Sequence, residues 1–253
     1  LVFIAYNKQK TKQTHMKKSI FLIAILFVLF SCSSNDSNDD SNPSTGGILL
    51  KRIETPGSQP YHYNYNGNKL NYVALGSTDG SLGKIQFTYS GDLITKWEYY
   101  ELNQPTGYGE TFSYANNKLV QKKIYSDGLV LEVTYDYVYN SDGTVNETET
   151  DANNPLVITK YYFDSNGNII KSVEGSTETI YEYDNKNLPY KNITGFNKIV
   201  PFSEASGQNN ATKIIGGNNI TIINYEYNSQ NYPISKESIN SEGDTEIENY
   251  FYY

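Results

Sequence analysis

Tyr161-Tyr162-Phe163-Asp164-Ser165-Asn166-Gly167-Asn168-Ile169-Ile170-Lys171 is the clearest copy of a motif that recurs along this chain. An aromatic pair separated by one residue precedes a short Asn/Asp/Gly turn and then Ile, Leu or Val. Further copies begin at Tyr137, Tyr181 and Tyr225, each reading Tyr-x-Tyr followed by Asn or Asp. The second aromatic of each copy falls at Tyr65, Tyr89, Tyr114, Tyr139, Phe163, Tyr183, Tyr227 and Tyr252. Most of these lie 24 or 25 residues apart, and the 44-residue step from Tyr183 to Tyr227 reads as one repeat rewritten. A fixed period of this size marks a repeat architecture.

Within each repeat, apolar and polar side chains alternate. Leu129, Leu131, Val133, Tyr135, Tyr137 and Tyr139 fall on one side of a strand, with Glu132, Thr134 and Asp136 on the other. Successive residues of a strand face opposite ways, so this period of two reads as β-structure with one face buried. Asn66-Gly67, Ser90-Gly91, Asp142-Gly143 and Asn166-Gly167 supply turns that tolerate positive φ. Asp79-Gly80, Asp127-Gly128 and Glu242-Gly243 supply a second set between the motifs. Two turns per repeat predict an all-β domain over 48–253, a repetitive antiparallel β-meander of about 14–16 strands with repeats of about 24 residues. The expected form is an open curved sheet without helices, whose two edges are free to pair with partners. Residues 192–220, with Pro201 and Gly216-Gly217-Asn218-Asn219, break the pattern and read as a long loop or a distorted repeat. Such a segment is either a place for specificity or an insertion tolerated at the surface.

The copies at Tyr161–Lys171 and Tyr181–Lys191 resemble the YD repeat of Rhs-type and related bacterial surface proteins, whose core is Tyr-x-Tyr-Asp-x-x-Gly-x-Leu/Ile. The stretch from Tyr181 to Ile193 also resembles a family of uncharacterised lipoproteins from Bacteroidetes-type bacteria. The resemblance implies β-architecture and an envelope location. Rhs proteins wind many such repeats into a shell around a toxin, for which eight motifs are too few. The Gly-Arg usual in that repeat is also replaced here by Gly167-Asn168.

Met16-Lys17-Lys18 followed by an unbroken apolar run from Ile20 to Phe30 has the layout of a secretory signal peptide, assigned to 16–31. Residues 1–15 read as an artefact of an upstream start. Leu29-Phe30-Ser31-Cys32 resembles a bacterial lipobox, which implies cleavage before Cys32 and a lipid anchor on its thiol. Residues 32–47, rich in Ser, Asn and Asp, then form a flexible acidic tether. Acidic residues soon after the cysteine resemble the export signals of surface-exposed lipoproteins in Bacteroidetes-type bacteria. The expected location is therefore the outer membrane, facing outward, with a periplasm-facing domain as the alternative.

From Cys32 to Tyr253 the chain carries 28 acidic and 15 basic side chains, a balance of −13. Nucleic acid, whose binding depends on neutralising phosphate with Lys and Arg, is a poor partner for such a surface. His62 is the only histidine after the signal, and Cys32 is the only cysteine, so no ordinary zinc or iron site can be assembled and no cofactor is implied. The segment Asp164–Asn168 has closely spaced oxygen donors but lacks the EF-hand spacing, and a hairpin turn explains it better. No nucleophile elbow or phosphate loop is present.

Glu98, Glu101, Glu132, Glu182 and Glu226 are available for a glycoside hydrolase mechanism, which needs two carboxylates. Each sits where a strand shows a solvated side chain, so the chain reads as a non-enzyme. Trp97 and Tyr99 share one strand face and are the candidate ligand-binding pair, since flat aromatic surfaces stack on sugars and anchor interfaces. Two classes follow. One is a binding module for a polysaccharide or protein, with exposed aromatics around Trp97 or the 192–220 segment. The other is a structural envelope protein, in which Trp97 fills the core. Neither the ligand nor the oligomeric state is written in the sequence.

Overall fold

The computed structural model describes residues 47–151, 154–199 and 207–253. Cys32, the signal segment and the tether up to residue 46 lie outside the described residues. The first strands are β1 (Leu50–Glu54), β2 (Tyr61–Asn66), β3 (Lys69–Leu75) and β4 (Gly83–Ser90). They are followed by β5 (Leu93–Glu101), β6 (Gln104–Ala115), β7 (Lys118–Ser126) and β8 (Val130–Tyr139). Next come β9 (Val145–Asp151), β10 (Val157–Phe163), β11 (Ile169–Glu174) and β12 (Thr177–Tyr183). A one-turn helix, α1 (Phe196–Ile199), precedes β13 (Ala211–Gly216), β14 (Asn219–Tyr227), β15 (Pro233–Ile239) and β16 (Thr245–Tyr252).

Each strand pairs antiparallel with its neighbours in sequence, and β1 also pairs with β16, so the sheet is a closed barrel of sixteen strands. This corrects the expected open curved sheet. Ile53 lies opposite Tyr250 and Glu54 opposite Asn249, which leaves no free edge. Closure joins the two ends of the domain, a non-local pairing that no turn dipeptide announces. The absence of helices is corrected by α1, a turn too short to show a helical period.

The motif tyrosines gather at one end of the barrel, beside the turns that follow them. Five of them, Tyr65, Tyr89, Tyr114, Tyr139 and Tyr252, span the gap to an adjacent strand. Tyr65 O–H donates to the Leu50 carbonyl at 2.8 Å, and Tyr114 O–H to the Ile94 carbonyl at 2.7 Å. Tyr139 O–H reaches the Leu119 carbonyl at 3.0 Å, and Tyr252 O–H the Pro233 carbonyl at 2.7 Å. Tyr89 accepts from the Leu70 N–H at 3.0 Å. The residues so addressed, Leu50, Leu70, Ile94, Leu119 and Pro233, are fully buried, and Ile169 joins them. All but Leu50, which opens β1, follow a turn of the motif. The repeat thus encodes a tyrosine that ties to one residue of an apolar ring.

Residues 184–199 and 207–210 lie across this end. Leu188, Tyr190, Ile193, Phe196 and Ile199 are buried, and Tyr190 stacks on Phe196 with ring centres 4.8 Å apart. Tyr63, an inward residue of β2, lies 6.4 Å from the Tyr190 ring. The segment is stitched to turns around the ring. Thr194 N–H donates to the Asn68 carbonyl at 2.9 Å, Asn192 Nδ2 to the Ile48 carbonyl at 2.8 Å, and Gln208 N–H to Asn168 Oδ1 at 2.8 Å. Gly195 takes a left-handed backbone with φ +75, and a Cβ there would collide with the Asp92 carbonyl.

Removing one tyrosine hydroxyl leaves a part-buried carbonyl unpaired, a loss of about 0.5–1.5 kcal/mol. Tyr114→Phe is therefore expected to lower unfolding free energy by about 1 kcal/mol in urea melts at unchanged slope.

Candidate functional site

The closed sheet has one inner and one outer face, and strand register assigns every side chain to one of them. Trp97 pairs with Phe87 and Glu110, and all three face inward. Trp97 is 3% exposed. Its Nε1–H donates to Glu110 Oε2 at 2.9 Å, and Tyr108 meets it edge-on at 5.5 Å. Tyr99 lies on the same inward face, half-buried, nearer the end opposite the apolar ring. The structure brings the pair together on one face, but that face lines the barrel.

The interior also holds carboxylates that the sequence reading passed over. Glu110, Glu147 and Glu149 point inward with Lys122, whose ammonium lies 4.3 Å from the centre of the Tyr135 ring. Glu147 Oε1 accepts from Tyr161 O–H at 3.1 Å. Burial raises the Glu110 carboxyl above the usual carboxylate range, while Lys122 and the Trp97 N–H oppose the rise. Glu147 is raised for the same first reason, again opposed by Lys122. Across the barrel, Lys236 Nζ lies 3.6 Å from Glu248 Oε2, and Tyr250 O–H donates to the same oxygen at 2.6 Å. The signal was phase: Glu110 stands two residues before Phe112, and Glu147 two after Val145, in register with the buried side chains.

The five glutamates considered for hydrolysis are not gathered. Glu98 faces outward and pairs with Lys96 at 2.7 Å. Glu182, also outward, lies 3.5 Å from Lys213. Glu101 ends β5, Glu132 lies at the start of β8, and Glu226 is on the outer face of β14. Among the described residues, no group of three or more His, Cys, Asp or Glu is placed to hold a metal ion. His62 faces outward opposite Arg52, and burial followed by the Arg52 charge lowers its pKa. Asp164 caps its own turn, accepting from the N–H groups of Asn166 at 2.8 Å and Asn168 at 2.9 Å.

The 192–220 segment divides in two. Its second part forms β13 and the start of β14, ordinary strands of the wall. Its first part belongs to the closing segment, where Asp184 is the hub. Asp184 accepts from Tyr227 O–H and from the Asn210 N–H, the latter at 3.0 Å. Burial, then the Asp184 charge and hydrogen bond, raises the Tyr227 phenol.

The outer wall mixes charged pairs with exposed apolar side chains, among them Val138, Ile158, Ile222, Ile247 and Phe251. On adjacent strands Lys171 pairs with Glu178 at 3.2 Å and Lys213 with Glu182, and Gln121 meets Asp136 at 2.8 Å. Outward tyrosines are roofed by lysines: Lys84 Nζ stands 5.7 Å from both the Tyr72 and Tyr100 rings. No helix among the described residues is long and apolar enough to cross a membrane.

No family model and no curated protein matches the chain. Among solved structures, a porin-like protein from Bacteroides vulgatus ATCC 8482 is similar at 15% identity, covering 81% of this chain and 99% of that one, with a TM-score of 0.51. A porin-like protein from Bacteroides uniformis ATCC 8492 is also 15% identical, covering 81% and 95%, with a TM-score of 0.36. The first likeness is one of fold.

A buried acid with a raised pKa binds protons more readily folded than unfolded. Stability therefore falls as pH rises from the unfolded value through the raised one. Glu110→Gln keeps an acceptor for Trp97 and removes that penalty. Its melting temperature is expected to exceed wild type at about pH 8 and to lose the advantage at about pH 4.

Proposed function

We propose that the chain is a cell-envelope lipoprotein, anchored by a lipid on Cys32, that holds its barrel in water at the outer-membrane surface. There it acts as a non-enzymatic binding module, for a protein rather than a glycan. The ion pairs on the outer wall, interspersed among its apolar side chains, carry this reading. A membrane-spanning barrel needs an outward apolar band, and Lys or Arg facing lipid at mid-bilayer costs about 2–4 kcal/mol each. Lys171, Lys213, Glu178 and Glu182 sit on the outside of neighbouring strands, paired as they would be in water. The buried side chains of the closing segment, Leu188, Tyr190, Ile193, Phe196 and Ile199, argue against a channel. The porin-like description of the Bacteroides vulgatus protein supports an envelope setting for this fold.

A protein ligand is favoured because the aromatic surfaces suited to sugars are occupied. Trp97 is enclosed, and lysines cover the outward tyrosines. Absence of catalysis is supported by the interior glutamates, which are engaged by Trp97 and Tyr161. The buried Trp97 also favours a second reading, a structural envelope protein without a ligand.

With Cys32 acylated, an introduced cysteine is the only free thiol. Glu178→Cys and Glu182→Cys in the full chain are expected to react completely with a membrane-impermeant maleimide on intact cells. Reaction only after outer-membrane permeabilisation would place the barrel in the periplasm. Reaction only after detergent would place these positions in lipid and end the water-facing account.

A further inference from the structure

The two ends of the barrel differ in charge. Among the described residues, seven connections make up the end bearing the apolar ring: 66–69, 90–93, 115–118, 140–144, 164–168, 184–199 with 207–210, and 228–232. Together they hold four acidic and five basic residues. The eight connections of the opposite end, with their flanking strand residues, are 54–61, 76–82, 101–104, 126–132, 150–151 with 154–157, 174–178, 216–220 and 240–246. These hold eleven acidic residues and no Lys or Arg. Two of the acids meet bases just beyond the rim, Glu54 with Arg52 at 2.9 Å and Glu178 with Lys171 at 3.2 Å, and Lys84 is engaged with Asn103 Oδ1 at 3.2 Å.

The same rim exposes large apolar side chains at successive hairpins. Leu82 is 61% exposed, Leu102 68%, Leu129 61% and Leu156 60%. Leu102 and Leu82 are neighbours, since Leu102 N–H donates to the Leu82 carbonyl at 3.1 Å. Two of these leucines also occupy left-handed backbone, Leu102 at φ 48 and Leu129 at φ 64. At the other end, Asn116, Asn117 and Asn231 take that conformation. Asn is the better choice there on both counts, being at ease with positive φ and with water. Neither folding nor solubility accounts for leucine at these tips.

We propose that this acidic, leucine-tipped rim is the docking surface of the module, and that its partner is a protein segment presenting Lys or Arg among apolar side chains. The assignment rests on the water-facing binding reading above and specifies which surface binds. Charge complementarity selects the occupant. A rim of eleven acids, with only Arg52 and Lys171 paired to two of them, repels anionic lipid, and it repels the same rim on a second copy.

The full chain is titrated into a fluorescently labelled peptide of alternating Lys and Leu, and into its Glu/Leu counterpart. Anisotropy is followed from about 50 to about 500 mM NaCl. The Lys/Leu peptide is expected to bind and to weaken steeply with salt, and the Glu/Leu peptide not to bind. The Leu102→Asn/Leu129→Asn variant is expected to lose about tenfold in affinity while melting at the same or a higher temperature. Equal binding by the variant, or binding of both peptides alike, overturns the proposal. So does variant-sensitive binding to phosphatidylglycerol vesicles, which would make the rim a lipid contact. Variant-sensitive self-association in sedimentation would overturn it in favour of a second copy. Failure here with maleimide-reactive Glu178→Cys and Glu182→Cys would leave the water-facing reading intact and remove only the rim.

Discussion

The pairing of β1 with β16 is the constraint on which the rest of this structure depends. An open meander has two faces of equal standing and two unsatisfied edges. Joining Ile53 to Tyr250 and Glu54 to Asn249 gives the sheet an inside, and the same alternation then separates two chemistries. Tyr63, Phe87, Trp97, Phe112 and Tyr137 become core. Their neighbours in sequence become a solvated wall. The Tyr253 N–H completes the seam by donating to the Leu49 carbonyl at 3.0 Å.

Tyrosine suits this design because one residue serves two needs. Its ring fills the space inside a wide barrel, and its hydroxyl finds a partner in a place too dry to leave it unpaired. For Tyr65, Tyr114, Tyr139 and Tyr252 that partner is a backbone carbonyl of the adjacent strand. Deeper inside, the partners are Glu147 and Glu248. Lys122 and Lys236 bring positive charge into the same interior, against the Tyr135 ring and Glu248. Residues 184–199 and 207–210 lie across one end, held there by buried Asn168, which accepts from the Gln208 N–H, and by Asn210, which donates to the Asn187 carbonyl.

Much of this was legible in the residues themselves. The alternation through Val133, Tyr135 and Tyr137 and the turn at Asp142-Gly143 define β8 and β9 without recourse to the structure. Leu129 was read as a strand position but lies in a turn at φ 64, because a bulge between Ile124 and Tyr125 shifts the register there. Closure was not legible, since it depends on two segments almost a whole domain apart meeting in register. The fate of Trp97 followed from that. One face of β5 carries Trp97 and Tyr99 and the other carries Glu98 and Tyr100, and only the ring decides which is inside. Inward glutamates were masked by their own abundance, because Tyr-Glu-Tyr places Glu outside while Tyr108-Gly109-Glu110 places it within. The closing segment left only its irregularity as a trace, for its apolar residues follow no period.

The seam is the most direct place to test this account. Glu54 and Asn249 are paired neighbours on the outer face, and paired residues of antiparallel strands lie about 4.5–5.5 Å apart at Cα, within reach of a disulfide. In the full chain carrying Glu54→Cys and Asn249→Cys, the account predicts a bond that forms under mild oxidation within the monomer, with the melting temperature raised. Two thiols that stay free and alkylate in the folded protein would mean that the sheet is open at this edge, and would contradict the assignment of an inside and an outside.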